Sequence, residues 1–211
     1  MPFRMLNLIL LIIFGYLLGS IPSGLLISQA KGIDIRKVGS GNIGGTNVLR
    51  ALGLKWAGLT IISDVFKGVV PAYLAIHPAS IFGGGVNFFD WQVVLVAISP
   101  ILGHVFPVWL KFKGGKGVAT TIGALLILLE WKILLVWPLI WLLVLVTSKT
   151  MSFTNLLMVS FLPLAFWFSS FSLTYFIFGF ILAILIWWTH RENLQRIKEG
   201  AEPKFKLKKS P

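Results

Sequence analysis

Two stretches of this chain mix glycine, small hydroxyl or amide residues and cations in a way that suits anions. The first is Gly39-Ser-Gly-Asn-Ile-Gly-Gly-Thr-Asn-Val-Leu-Arg50, with Ser40, Gly41, Asn42, Gly45, Thr46, Asn47 and Arg50 as candidate contacts. The second runs from Gly103-His104 through Phe112-Lys-Gly-Gly-Lys-Gly-Val-Ala-Thr120, with Lys113, Gly114, Gly115, Lys116, Gly117 and Thr120 as candidates. Glycine lets backbone N–H groups converge on an anion. Ser, Thr and Asn add neutral donors, and an arginine grips a phosphate with two parallel hydrogen bonds. Both stretches lead into a helical pattern, whose N-terminus favours anions. Two such loops suit two phosphates.

A third segment, His190-Arg-Glu-Asn-Leu-Gln-Arg196 followed by Gly200-Ala-Glu202, places His190, Asn193 and Arg196 at steps of three, on one face of a short helix. A merely solvated amphipathic tail is the alternative there. For the two loops the alternative is basic, lipid-touching chain, which accounts for the lysines and leaves the Gly, Asn and Thr content unexplained. Gly39-x-Gly41-x-x-Gly44 matches a dinucleotide fingerprint by letter, but it follows an apolar span and no βαβ unit surrounds it. The Gly115-Lys116 step fails as a P-loop, because Leu110 stands where the first glycine belongs and Gly117 where Ser or Thr belongs. For His104, an interfacial structural role competes with substrate contact. His77 reads as structural. Asp64 and Lys67 share a helix face, so Lys67 either pairs with Asp64 or reaches a phosphate.

These segments need a scaffold, and the composition supplies one. The chain has 211 residues, 56% of them hydrophobic, with a mean hydropathy of +0.87. The apolar residues come in long runs, the signature of membrane spans. The fold class is all-α and polytopic, in one integral-membrane domain over residues 1–211. Spans are expected at 6–29, 56–76, 91–110, 118–131, 132–147, 153–169 and 172–188. The first has no small-residue cleavage site and is read as a retained span. The stretch 153–188 would make a helix of roughly 54 Å, too long for one crossing of a core of roughly 30 Å; Ser169, Ser170 and Ser172 mark its turn. Glu130 and Lys132 would be costly at mid-bilayer, so a break between 118–131 and 132–147 keeps them at an interface beside Trp131 and Trp137. Merging both doubtful pairs gives five spans, the second-ranked count.

Seven spans put sixteen of the nineteen lysines and arginines on one face, in the loops 30–55, 111–117 and 148–152 and in the tail, whereas the loop 77–90 has none. The positive-inside rule makes that face cytoplasmic, with the N-terminus outside and the C-terminus inside. The net charge of +12 then reflects anionic lipid or an anionic substrate; the membrane content speaks against nucleic acid. Lys204–Lys209 reads as a lipid-facing basic end. The absence of cysteine excludes disulfides, thiolate metal sites and a thioester acyl-enzyme. No metal site or cofactor is expected, and no obligatory protein partner.

In this order and at these separations the three segments, with Gly19-Ser-Ile-Pro-Ser-Gly24 and Asp64-x-x-Lys-Gly68, resemble the bacterial acyl-phosphate:glycerol-3-phosphate acyltransferase family, the PlsY type, over nearly the whole chain. The resemblance implies transfer of an acyl group from acyl phosphate to the 1-hydroxyl of glycerol 3-phosphate. The products would be lysophosphatidate and phosphate, at the start of bacterial phospholipid synthesis in the cytoplasmic membrane. It implies that the Ser40–Arg50 and Lys111–Thr120 loops bind the two phosphates, that His190 and Asn193 complete the pocket, and that Ser152 is the serine of the 147–155 turn. Thr189 stands where the family pattern has a basic residue. The common glycerolipid acyltransferase motif His-x-x-x-x-Asp is absent: Phe82, Trp109 and Gln195 follow His77, His104 and His190 at that spacing. Direct transfer is favoured, with His104 either acting as base or orienting a substrate while a donor phosphate oxygen accepts the proton instead. The rival class is a transporter of organic phosphates, against which stand the lack of an internal repeat and the placement of the motifs on one face.

Overall fold

The computed structural model describes residues 2–83 and 86–205, which form helices and loops; among the described residues there is no β-strand. The chain divides into two compact units, residues 1–128 and 129–211.

In the first unit, α1 (Pro2–Ser20) is followed by α2 (Ser23–Gln29), α3 (Gly45–Leu52), α4 (Leu54–Ile76), α5 (Ala79–Phe82), α6 (Asp90–Val105) and α7 (Val118–Leu128). The span expected over 6–29 is present as one apolar stretch, Arg4–Gln29, with its helix interrupted at Ile21–Pro22 because Pro22 has no N–H to continue the ladder. Two helix pairs approach almost backbone to backbone. A Cβ on Gly19 of α1 would lie 2.1 Å from the Pro100 carbonyl oxygen of α6, and one on Gly68 of α4 would lie 2.0 Å from the Thr120 carbonyl oxygen of α7. Where lipid is as apolar as the side chains, such close packing supplies the association energy that water would otherwise drive. An apolar cluster of Leu8, Leu11, Ala75, Val93 and Val96 fills the bundle, and a second, of Leu25, Ile35, Ile43, Val48 and Ala57, underlies the first glycine-rich loop.

In the second unit, α8 (Trp131–Ser148), α9 (Met151–Ser160), α10 (Leu162–Ser170), α11 (Leu173–Thr189) and α12 (Arg191–Lys198) follow one another through short breaks. Glu130 precedes the first turn of α8, at the break expected from its charge. The turn expected at 169–172 falls at Phe171, in the left-handed region at φ 50°. The stretch read as one span over 153–169 is bent by 42° between α9 and α10, since Pro163 removes a helical hydrogen bond at the bend.

Four helical stretches are long and apolar enough to cross a bilayer, or up to six with the bent pairs counted as single spans. By the length and apolar character of these helices the chain is an integral membrane protein. Val118–Leu128 has 11 residues and reaches only about 16 Å. Helix faces rich in exposed Leu, Ile and Phe, as at Ile62, Leu139 and Leu143, are what lipid contact requires.

Candidate active site

The first glycine-rich loop is shaped by one side chain. Asn47, buried in the first turn of α3, accepts a hydrogen bond from the Ser40 N–H (3.1 Å) and donates to the carbonyls of Ile35 (3.2 Å), Val38 (2.9 Å) and Asn42 (2.9 Å). Its amide is thus committed to the loop's own backbone, so Asn47 holds the loop instead of facing an anion. Asn42 does likewise at the turn, accepting from the Gly44 N–H (2.8 Å). Gly39 (φ 58°) and Gly41 (φ 69°) take the left-handed conformation that closes the loop ahead of α3. Ser40 and Arg50 are exposed, Gly41 and Thr46 are half-buried, and Gly45 is buried. The N-cap of α3 is Gly44, which has no side chain to cap the helix; the Asn47 N–H donates to the Gly44 carbonyl (3.0 Å), and the Gly45 and Thr46 amides ahead of it lie where a helix N-terminus favours an anion. Upstream, Asp34 is held down to about 2 by the hydrogen bonds of the Arg36 guanidinium, an exposed surface pair.

The second loop folds back on the end of α6. The Gly114 N–H donates to the Val105 carbonyl and the Gly115 N–H to the His104 carbonyl, each at 3.0 Å. Lys111 (φ 52°) and Phe112 (φ 62°) are both left-handed, which reverses the chain, and Gly117 (φ 81°) turns it into α7. The Tyr16 hydroxyl donates to the Phe106 carbonyl (2.8 Å) and fixes the loop's starting point. Lys113 is exposed, Gly114 and Lys116 are half-buried, and Gly115 and Gly117 are buried. Thr120 departs from the sequence expectation: it is fully enclosed, its carbonyl against Gly68, and its hydroxyl is shut away from any substrate in solution.

Beneath this loop lie three buried ionisable side chains. The Lys67 ammonium is 2.6 Å from Asp64 Oδ1 and also donates to the Ile21 carbonyl at the α1–α2 break. His104 Nδ1 is 3.7 Å from the same Asp64 oxygen. Of the two readings of Lys67, the internal pair is the one observed; with only 3% of its side chain exposed, it has no path to a phosphate.

The second unit holds the other candidates. Ser152 Oγ (2.8 Å), Asn193 Nδ2 (2.7 Å) and Arg196 Nε (2.8 Å) all donate to the carboxylate of Glu202. Burial pushes the Glu202 carboxyl up, but the hydrogen bonds from Asn193, Arg196 and Ser152 outweigh it and hold the group below its ordinary value. His190 begins α12, with its Nδ1 2.8 Å from the Ile186 carbonyl. An Nδ1–H donated to that oxygen leaves Nε2 as the acceptor. Asn193 and Arg196 share a face as expected, and both donate to Glu202. Lys204, expected to face lipid, instead donates to Thr150 Oγ1 (3.2 Å), and the Phe205 N–H donates to the Lys149 carbonyl (2.7 Å), tying the tail to the α8–α9 turn. Lys206, Lys208 and Lys209 lie outside the described residues.

Tyr16 is the residue that sequence reasoning missed, since nothing marks it inside an apolar run. Glu202 was named with the third segment but given no role, and its partners appear only in the folded tail. Among the described residues no group of three His, Asp or Glu side chains is placed to hold a metal.

A family profile described as glycerol-3-phosphate acyltransferase matches residues 9–200. The chain is 40% identical over 197 residues to a glycerol-3-phosphate acyltransferase of Rubrobacter xylanophilus, covering 93% of this chain and 94% of that one. It is 43% identical over 193 residues to one of Thermus thermophilus, covering 90% and 92%. Among solved structures it resembles PlsY, an integral membrane glycerol 3-phosphate acyltransferase, in its glycerol 3-phosphate form. That match has a TM-score of 0.85 and 36% identity, over 94% of this chain and 96% of that one. The lysophosphatidic acid form matches with a TM-score of 0.82 and 34% identity, over 95% and 96%.

Proposed function

Because the chain belongs to the glycerol-3-phosphate acyltransferase family, we propose that it transfers an acyl group from acyl phosphate to the 1-hydroxyl of glycerol 3-phosphate. The observation that carries the reading is the Gly114–Gly117 loop, pinned by two backbone hydrogen bonds to the end of α6 between Lys113 and Lys116. It is a second anion cradle in the same unit as the Ser40–Arg50 loop. Relatives carry the acyltransferase name, and the PlsY structures hold glycerol 3-phosphate and lysophosphatidic acid. The transporter alternative has no such support.

Acyl phosphate is a mixed anhydride with a good leaving group. The glycerol hydroxyl attacks the carbonyl carbon, the new ester C–O bond forms, and the bond to phosphate breaks. The hydroxyl proton leaves on the departing phosphate, so the products are lysophosphatidate and hydrogen phosphate. The protein's main task is to hold two mutually repelling anions together, which needs cations and N–H donors and no covalent intermediate. Ser40, Gly41, Gly45, Thr46 and Arg50, with Lys113, Gly114, Gly115, Lys116 and Gly117, bind the phosphates; Asn42 and Asn47 shape the first of these loops. Ser152, His190, Asn193 and Arg196 serve the same reaction, the whole chain acting as one catalytic domain. The N-terminus lies outside and the C-terminus inside, with the phosphate loops in the cytoplasm; the distribution of basic residues supports this sidedness with seven crossings of the inner membrane, the short Val118–Leu128 among them, or with five.

Purified protein in detergent, given acyl phosphate and labelled glycerol 3-phosphate, tests this. Labelled lysophosphatidate is expected, and none with acyl-CoA in place of acyl phosphate. Arg50→Ala and Lys116→Ala each lower turnover at least about tenfold, since a lost charge-assisted contact costs roughly 1.5–3 kcal/mol. Arg50→Lys is also impaired, because an ammonium cannot reproduce the guanidinium fork. Lys208→Ala and Lys209→Ala change turnover little. Tail variants as damaging as those at Arg50 and Lys116 would reduce the loops to generic membrane contacts.

A further inference from the structure

We propose that His104 is a positioning residue, the prop beneath the Gly114–Gly117 loop, and not the base of the reaction, with Asp64 and Lys67 as its buried footing. This rests on the reading of that loop as a phosphate binder.

Both ring nitrogens of His104 are covered. Nδ1 faces Asp64 Oδ1 at 3.7 Å. On the other edge, a Cβ added to Gly115 would lie 2.1 Å from Nε2, 2.9 Å from Cδ2 and 3.0 Å from Cε1. A base must accept a hydroxyl whose oxygen sits at about 2.7–3.0 Å from its nitrogen. Gly115 thus stands against Nε2, and the approach that a glycerol hydroxyl would need along this edge is taken by the loop itself. Only 7% of the residue's surface is exposed. The imidazole is a floor under the glycine, not a group facing substrate.

What that floor supports is specific. The loop's position is set from one side by the hydrogen bonds of Gly114 and Gly115 to the carbonyls of Val105 and His104. The imidazole sets it from the other. A Cβ on Gly114 would meet the His104 carbonyl at 2.1 Å and Pro107 Cδ at 2.4 Å. The two adjacent glycines are therefore required by the neighbours they lie on, and this close seat fixes the direction of the Lys113 and Lys116 backbone on either side. The ring in turn stands on a fixed base: Asp64 is held by Lys67, and Lys67 is held by the Ile21 carbonyl at the α1–α2 break. Through it α2's entrance, α4 and the end of α6 all bear on one loop. A histidine suits the place because it is planar, fills the space up to Gly115, and presents a polar edge to a buried carboxylate.

A size exchange separates prop from base. Wild type, Gly115→Ala, His104→Ala and the double variant are compared at matched amounts of folded protein, with kcat and KM for both substrates. Gly115→Ala alone is expected to lower kcat/KM at least about tenfold, because its methyl strikes the ring. His104→Ala is expected to act chiefly by raising KM. The double variant, in which the methyl takes up part of the vacated space, is expected to recover most of the activity that Gly115→Ala loses. A double variant no better than Gly115→Ala overturns the proposal. His104→Gln is the second arm, since it keeps bulk towards Nε2 without basicity. It is expected within about fivefold of wild type, whereas loss of a general base costs about 100-fold or more in kcat, and that result overturns the proposal. Calorimetric titration of the same proteins with glycerol 3-phosphate distinguishes the two failures. A wild type that binds glycerol 3-phosphate but does not turn over acyl phosphate sinks the proposed donor, and recovery of binding in the double variant then decides on the prop.

Discussion

Replacing Asn47 by alanine should loosen the first loop before any substrate is present. The amide oxygen accepts one hydrogen bond and the two N–H bonds of Nδ2 are shared among three carbonyls, all on backbone between Ile35 and Asn42. At about 1 kcal/mol net for each of three bonds, full loss would cost about 3 kcal/mol. Ser40 and its neighbours are exposed, so the freed groups partly rehydrate, and about 2 kcal/mol is the better figure. That corresponds to amide exchange about thirtyfold faster in the loop. Asn47→Asp should be worse than alanine despite its shape, because it sets a carboxylate against three carbonyls. The assay is hydrogen exchange by mass spectrometry on ligand-free protein, read for peptides covering 35–48, with KM for both substrates alongside. If Asn47→Ala raised KM while exchange in 38–42 stayed at the wild-type rate, the side chain would be touching substrate and its assigned role would be wrong.

Three further outcomes are expected. Glu202 titrates below the ordinary glutamate value of 4.5, so its stabilisation is fully present above that value and is lost as pH falls through the lowered one; exchange in 149–155 should rise over that acid range in wild type and show no such step in Glu202→Gln. Gly19→Val should cost about 1–3 kcal/mol or more in thermal stability, because its side chain meets the Pro100 backbone and not a movable tip; an unchanged melting temperature would contradict the α1–α6 seat. A cytoplasm-active reporter fused at Pro211 and an export-dependent one at the N-terminus should both function, and an active export reporter at Lys113 would refute the sidedness.

The sequence was legible where composition alone decides. Charge forced the break at Glu130, serines marked the turn near Phe171, and glycines with cations located both loops. It was not legible where a polar group's partner is backbone. Asn47 looks like an anion donor in a Gly/Ser/Thr context, yet its donors are spent on three carbonyls that no spacing rule locates. Lys67 offers the same lesson: its i,i+3 carboxylate was visible, but the Ile21 carbonyl exists as an acceptor only because Pro22 breaks the helix. Thr120 was read by its neighbours' chemistry, and the α4–α7 contact at Gly68 buried it. Glu202 gathers residues fifty positions apart, Ser152 among them, a convergence that only the folded tail creates.

The pairing of Asp64 with Lys67 has a consequence for biogenesis. The two lie three residues apart on one helix, so they can neutralise each other before any other helix arrives. The segment Leu54–Ile76 therefore enters the lipid as a dipole instead of as two separate ions, each of which would cost about 2.5–3.5 kcal/mol at mid-span. A single substitution at Lys67 strands a carboxylate in that segment during insertion. Loss of activity in cells carrying it then reports failed delivery to the membrane, whatever the residue does afterwards. The informative comparison is the matched neutral pair, Asp64→Asn with Lys67→Gln, which restores insertion and exposes whatever remains for the mature protein.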